Sequence, residues 1–261
     1  MNLFKDAAAY YKYRPEYPED IIKLIVSKAH VDGTTNLLDI GCGTGSLCIP
    51  LSKYFKEIFA VDIDAGMIEE GKKSATLHDV DNIEWINQDA SNFEDKFNNI
   101  QVVTFGCSLH WFDAEKTLNF VYKLLPDNGS VFVTGFYTIW GYAPQPWQQK
   151  VLEIIKKYLG PNRMTLHGKY QSSGKSDLFV GFLKSAGFEK SEVIKFDLSE
   201  RILNVDEIVG YQYSTSYAAP ALFKDKLSDF EKELKTELLK IHPDNKFVEK
   251  NTGFVTIGWK K

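Results

Sequence analysis

Apolar and polar positions follow two alternating rhythms along this chain. Short runs rich in Ile, Val, Leu and Phe fall at 36–40, 57–62, 83–90, 100–105, 130–136, 190–198 and 253–259, and each reads as a strand. The run Ile58-Phe59-Ala60-Val61 is continuously apolar, which suits a parallel strand buried on both faces. Helical spacing fills the intervals. It is present at 20–29 (apolar at Ile21, Ile22, Leu24 and Ile25), at 47–55, in the stretch opened by Met67, and at 114–125, 148–159, 177–186 and 223–242. Pro126-Asp127-Asn128-Gly129 is a turn sequence, and Gly187 caps the helix before it. The charged residues of 223–242 read as a solvated face. Strand and helix in alternation predict an α/β fold over a parallel sheet.

Two regions break the rhythm. The leader carries Phe4, Ala7, Ala8, Tyr10, Tyr11 and Tyr13, the spacing of a short amphipathic helix. Arg14-Pro15-Glu16-Tyr17-Pro18 stops it, because a proline disfavours helix at the residue before it. From about 137 to 187 the alternation loosens. Tyr137, Trp140, Tyr142 and Trp147 stand among Pro144 and Pro146, Gly160-Pro161-Asn162-Arg163 is a break, and 170–174 is a polar loop. Such an insertion reads as a cap over a substrate. A helix start at Asn204 leads to Tyr211, Tyr213 and Tyr217. The expected organisation is one domain over 1–261. It comprises lid helices at 1–30, a binding core at 36–135, the cap at about 137–187 and the rest of the sheet at 188–261.

The candidate chemistry centres on Leu37-Leu38-Asp39-Ile40-Gly41-Cys42-Gly43-Thr44-Gly45-Ser46. Strand, glycine turn, helix start is the layout of a nucleotide-binding βα unit. A dinucleotide fingerprint would place its third glycine at 46, where Ser46 stands, and no Gly-Lys-Ser/Thr follows, which excludes a P-loop. Asp62 ends the second strand about twenty residues past the turn, where an acid accepts hydrogen bonds from ribose hydroxyls. Asp64 suits the cap of the following helix. Gly106-Cys107-Ser108-Leu109-His110-Trp111-Phe112-Asp113 follows the fourth strand, beyond the carboxyl ends where open α/β sheets bind ligands. His110 suits either a general base or a hydrogen-bonded pocket wall.

The glycine stretch resembles motif I of the class I S-adenosylmethionine-dependent methyltransferases. The leader pattern Phe…Ala…Tyr…Arg-Pro-x-Tyr-Pro and the loop His110-Trp111-Phe112-Asp113 resemble the subgroup that includes the trans-aconitate methyltransferases. The resemblance implies a Rossmann-like, seven-stranded sheet with helices on both faces and an antiparallel seventh strand. It implies S-adenosylmethionine as cofactor, held by Asp39, Gly41, Cys42, Gly43, Gly45, Asp62, Ile63, Met67, Asp89, Ala90, Gly106 and His110. In that reading Asp89 takes the adenine amino group, the Ala90 backbone faces the ring, and the leader folds over the cofactor as a lid. Arg14, Trp111, Trp140 and Tyr213 border the substrate. The loop after the fourth strand lacks the Asn/Asp-Pro-Pro-Tyr of enzymes that methylate exocyclic amines, and Cys107 lacks the preceding proline of cytosine C5 enzymes.

The implied reaction is methyl transfer to a small molecule, with the carboxylate of a small organic acid as the favoured acceptor. A carboxylate needs no base; a hydroxyl or amine would need one, and His110, Tyr10 and Tyr13 are the candidates. Arg14, Arg163 and Arg201 are candidate acid binders, because a guanidinium pairs with a carboxylate through two parallel hydrogen bonds. The alternatives are an O- or N-methyltransferase of another small molecule or a macromolecule, and a catalytically inactive S-adenosylmethionine-binding protein.

Composition narrows the partners. A net charge of −4 argues against nucleic acid. No run approaches the length of a membrane span, and the first residues have no apolar signal-peptide core. The 3 cysteines lack CxxC spacing and the 5 histidines are scattered, so no metal site is expected. Sparse, unpaired cysteines fit reduced thiols in the cytoplasm.

Overall fold

A computed structural model describes residues 7–90, 97–137, 139–140, 145–162, 164–165, 168–169 and 176–261. The expected residues Phe4, Tyr142, Pro144, Arg163 and the loop 170–174 lie outside the described residues. In chain order the elements are α1 (Glu19–Ala29), β1 (Asn36–Ile40), α2 (Cys48–Leu51), β2 (Glu57–Asp62), α3 (Ala65–Leu77), β3 (Ile83–Asn87), β4 (Ile100–Gly106), α4 (Ala114–Leu124) and β5 (Ser130–Phe136). Next come α5 (Pro146–Leu159), β6 (Met164–Thr165), β7 (Gly168–Lys169), α6 (Ser176–Ser185) and β8 (Lys190–Asp197). The chain closes with β9 (Arg201–Leu203), α7 (Val205–Tyr213), α8 (Pro220–Phe223), α9 (Leu227–Ile241), β10 (Phe247–Glu249) and β11 (Thr252–Trp259).

The chain divides into two compact units. One comprises Glu16–Phe136, Lys175–Phe196 and Gly253–Lys261. It is built on a seven-stranded sheet in the order β3-β2-β1-β4-β5-β11-β8. The pairs β1–β2, β1–β4, β2–β3 and β4–β5 are parallel, and β11 runs antiparallel to β5, as the resemblance implied. Every residue of β1 is buried, which is why an unbroken apolar run suits this central strand. The strand order reverses between β1 and β4. The crevice beyond their carboxyl ends is therefore the place where such sheets bind ligands.

The other unit comprises Met1–Pro15, Tyr137–Gly174 and Asp197–Thr252. Its core packs Trp147, Val151 and Ile155 of α5, Ile208 and Val209 of α7, and Phe230, Leu234 and Leu238 of α9. The last three recur every fourth residue, one stripe along the helix, and burying each contributes about 1.5–3 kcal/mol. The charged residues of α9 occupy its other positions, as the sequence suggested.

Several expectations need correction in detail. The helix expected over 47–55 is the short α2 followed by a 3-10 turn at Ser52–Tyr54. The leader forms a 3-10 helix, Ala8–Tyr13. The helix expected from 223 starts at Leu227, because Lys224 takes φ 52° and interrupts the path. The antiparallel ribbon of β9 and β10 was not expected; three-residue strands are too short to show a period.

Candidate functional site

The site is built where β1 ends. Gly41, Gly43 and Gly45 adopt φ of 70°, 56° and 84°, a left-handed conformation that favours glycine. The Gly41 and Cys42 N–H groups donate to the Val61 carbonyl at 2.8 and 3.1 Å, stitching the turn to β2. Space closes around it as well. A Cβ at Gly41 would stand 2.6 Å from Ser108 Cβ, and one at Gly45 2.7 Å from Trp85 Cη2. The Trp85 ring also lies where a Cβ on Gly71 of α3 would go, so it wedges the turn against that helix. Ser108 Oγ in turn donates to the Ile40 carbonyl at 2.5 Å.

Asp62 ends β2 and joins the turn. Its Oδ2 accepts from Gly43 N–H at 2.8 Å and its Oδ1 from Asp64 N–H at 2.9 Å. Burial raises its carboxyl above the ordinary value, partly offset by those N–H donors. Asp64 caps α3, accepting from Met67 N–H at 3.0 Å, the role its position suggested. Between them Ile63 is 68% exposed, an apolar surface beside a carboxylate. Met67 is buried. Asn87 Nδ2 and Gln88 N–H both donate to the Asp62 carbonyl, which brings the exit of β3, with exposed Asp89 and half-buried Ala90, beside the end of β2.

Asp39 lies beneath the turn and is 1% exposed. Its Oδ1 accepts from Thr104 Oγ1 at 2.7 Å, while Oδ2 lacks a well-placed donor. Burial pushes its carboxyl up to about 7, tempered by Thr104 and the Cys48 thiol and reinforced by the charge of Asp62. The Cys42 and Cys48 thiols are also raised by burial.

The loop after β4 completes this face. Cys107 takes φ 55° and its N–H donates to the Thr134 carbonyl at 3.0 Å. Leu109–Trp111 forms a 3-10 turn that carries the half-buried His110 with its ring 5.2 Å from that of Trp111. Asp113 then caps α4.

The carboxyl ends of β1, β2 and β4 thus gather Asp39, Gly41, Cys42, Gly43, Gly45, Asp62, Ile63 and Gly106. The leader and cap candidates belong to the other unit. There Tyr213 is a core residue: it is buried, donates to Glu231 Oε2 at 3.1 Å and receives the edge of the Tyr10 ring, with burial raising its phenol. The Tyr13 ring fills the space a side chain at Gly210 would need. Trp140 meets Tyr217 edge-on, with the Lys156 ammonium over its ring. Arg14 donates from Nη2 to the Ser214 carbonyl at 2.7 Å and from Nε to Ser214 Oγ at 3.2 Å, and its guanidinium lies 4.3 Å from the Tyr11 ring centroid. Arg201 serves the fold, because Nε and Nη2 donate to Glu249 Oε2 and Nη1 donates to the Tyr13 carbonyl. Sequence reasoning passed over Tyr17, Trp85, Thr104 and Thr134. Only Tyr17, inside Arg-Pro-x-Tyr-Pro, lay in a stretch that carried a signal.

Among the described residues no group of three or more His, Cys, Asp and Glu is arranged to hold a metal ion, and no helix is long and apolar enough to cross a membrane.

A glycine turn, a strand-end acid and a loop at the reversal point of a β3-β2-β1-β4-β5-β11-β8 sheet define the nucleoside-binding α/β class to which the methyltransferases belong. Comparison with known proteins agrees. Residues 37–129 match the family model described as a methyltransferase domain. A Dictyostelium discoideum protein with a methyltransferase name is 25% identical over 259 residues, which cover 93% of this chain and 88% of that one. A Bacillus halodurans structure, also with a methyltransferase name, superposes with a TM-score of 0.58 at 16% identity, covering 92% of this chain and 99% of that one. A Haemonchus contortus phosphoethanolamine N-methyltransferase in complex with S-adenosylmethionine superposes with a TM-score of 0.56 at 16% identity, covering 98% of this chain and 57% of that one. Residues 37–129 thus carry a methyltransferase domain, and the matches together support an enzyme that uses S-adenosylmethionine for methyl transfer.

The residues fit this cofactor in kind. Asp62 would offer acceptor oxygens to ribose hydroxyls, exposed Ile63 would add apolar surface beside it, and the buried carboxyl of Asp39 would favour a ligand that brings positive charge near the turn. We expect Asp62→Asn to weaken S-adenosylhomocysteine binding by about tenfold or more, because an amide cannot accept from both N–H groups and still receive a ribose hydroxyl. Isothermal titration calorimetry measures it. Wild-type affinity in a folded variant would remove Asp62 from the site.

Proposed function

We propose that the chain transfers the methyl group of S-adenosylmethionine to the carboxylate of a small organic acid. The cofactor, when bound, supplies a methyl activated on a sulfonium. The chain's own part is to hold the acceptor in line and keep water out. The observation that carries the carboxylate reading is the state of the groups at the strand ends. Burial raises the Tyr17 phenol well above its ordinary value and holds the Cys42 and Cys48 thiols protonated, so none of the three serves as a base at neutral pH. A carboxylate is already a nucleophile there. The subgroup resemblance of the leader supports the same acceptor. His110 is the base candidate for the second reading, in which a hydroxyl or amine is methylated.

In this reading 36–135 is the cofactor-binding core, 1–30 a lid and about 137–187 a cap. Arg14 binds the acid, because its guanidinium is already oriented by Ser214 and Tyr11. The protein works in the cytoplasm. A panel of di- and tricarboxylic acids, aconitate isomers included, assayed with amines and phenols for S-adenosylhomocysteine release, tests the acceptor. Turnover confined to acids is expected. Arg14→Lys is expected to raise KM for the acid about tenfold, since a lysine cannot pair through two parallel bonds. Turnover only with amines or phenols would overturn the carboxylate reading and turn attention to His110.

A further inference from the structure

We propose that Tyr17 is a positioning residue for methyl transfer, holding the loop after β4 through its phenol oxygen. That oxygen accepts from Thr134 Oγ1 of β5 at 2.8 Å and donates to Cys107 Sγ at 3.6 Å. A Cβ on Gly106 would stand 3.3 Å from it. One phenol therefore meets the last residue of β4, the first residue of the loop and the neighbouring strand, all within the same compact unit. The ring is seated against Phe136, 4.8 Å between centroids, and the flanking Pro15 and Pro18 restrict the backbone that delivers it.

The loop needs such a grip. Cys107 sits at φ 55°, a conformation that residues other than glycine keep only where their surroundings hold them. Thr134 binds the Cys107 backbone through its carbonyl and also orients the phenol that binds the Cys107 side chain. On the other side Ser108 is tied to β1 through the Ile40 carbonyl. Between these two holds the chain turns toward His110 and Trp111. Misplacing such a loop by about 1 Å is enough to cost on the order of 100-fold in rate. With its phenol raised by burial, Tyr17 acts as a hydrogen-bonding group and not as a base.

The test needs no knowledge of the acceptor. Cys42 and Cys48 are buried and Cys107 is half-buried, so a disulfide-exchange reagent on the native protein reads Cys107 first, with Cys107→Ser as the control that removes the signal. Tyr17→Phe keeps the ring and removes both hydrogen bonds. It is expected to speed labelling about 3- to 10-fold, the size of one lost hydrogen bond. Thr134→Val, which leaves Tyr17 in place, is expected to do the same. The double variant is expected to fall short of the product of the two effects, because both act on one contact. Saturating S-adenosylhomocysteine is expected to slow labelling of the wild type and to protect Tyr17→Phe less. With an acceptor in hand, kcat of Tyr17→Phe falls about tenfold while KM for S-adenosylmethionine stays within about twofold, a split that general destabilisation would not give. A wild-type labelling rate in Tyr17→Phe, effects that multiply in the double variant, or labelling indifferent to S-adenosylhomocysteine would each overturn the proposal.

Discussion

Gly41→Ala is expected to lower folding stability by about 2–5 kcal/mol and to weaken S-adenosylhomocysteine binding more than about 100-fold. Two separate causes act. At φ 70° an alanine methyl strains the backbone by about 1–2 kcal/mol. The methyl would also stand 2.6 Å from Ser108 Cβ, and overpacking of that kind costs about 1–3 kcal/mol. Ser108 has little freedom to retreat, because its hydroxyl is bonded to the Ile40 carbonyl at 2.5 Å. The strain is relieved either by moving the glycine turn or by pushing the loop after β4 outward, and both displace groups at the cofactor site. Urea unfolding and calorimetric titration measure the two losses. Ser108→Gly in the Gly41→Ala background removes the clash and leaves the backbone strain, so it should restore part of the stability. Full recovery would mean that the left-handed conformation carries no cost, and no recovery would mean that Ser108 is not the obstacle.

Much of this unit was legible in the sequence for a physical reason. Its inner strands β1, β2, β4, β5 and β11 are buried on both faces, so their apolar runs are continuous and stand out, and the turn needs glycines at fixed spacing to reverse the chain. Asp62 and Asp64 could be told apart because a strand-end acid and a helix cap differ in position by two residues, and the structure gives the capping role to Asp64. Other features left no local trace. Trp85 reads as one more apolar strand residue; that its ring fills the space beside Gly45 and Gly71 follows only from how β3 and α3 pack. Arg201 looked available in the sequence, yet Glu249, 48 positions away, takes its guanidinium. Tyr213 stood in an aromatic stretch that suggested a ligand, and the structure puts it in a core with Phe223 and Phe230. Long-range partners decide these cases, and no period in the sequence encodes them.

Asp39 was legible as a residue and illegible as an ionisable group, and its burial sets the second large expected effect. An aspartate in the unfolded chain loses its proton near pH 3.9, whereas burial moves Asp39 up to about 7. Between those values the native state holds a proton that the unfolded state has released. Stability therefore falls as pH rises from about 4 to about 7, by roughly 4 kcal/mol in total, and is level above that. Asp39→Asn should flatten this slope, measured by denaturant unfolding at pH 5 and pH 8. A fold that keeps so costly a carboxylate, with Oδ2 short of a donor, is expected to use it on a cationic ligand. A nearby sulfonium and ammonium favour the ionised form. By linkage, S-adenosylmethionine affinity should rise as pH climbs through 7, with proton release visible as heats that differ between buffers of unlike ionisation enthalpy. S-adenosylhomocysteine, which keeps the ammonium and lacks the sulfonium charge, should show a shallower rise. Asp39→Asn should remove the pH dependence of both. Identical binding profiles in wild type and variant would assign the buried carboxylate a purely structural role through Thr104.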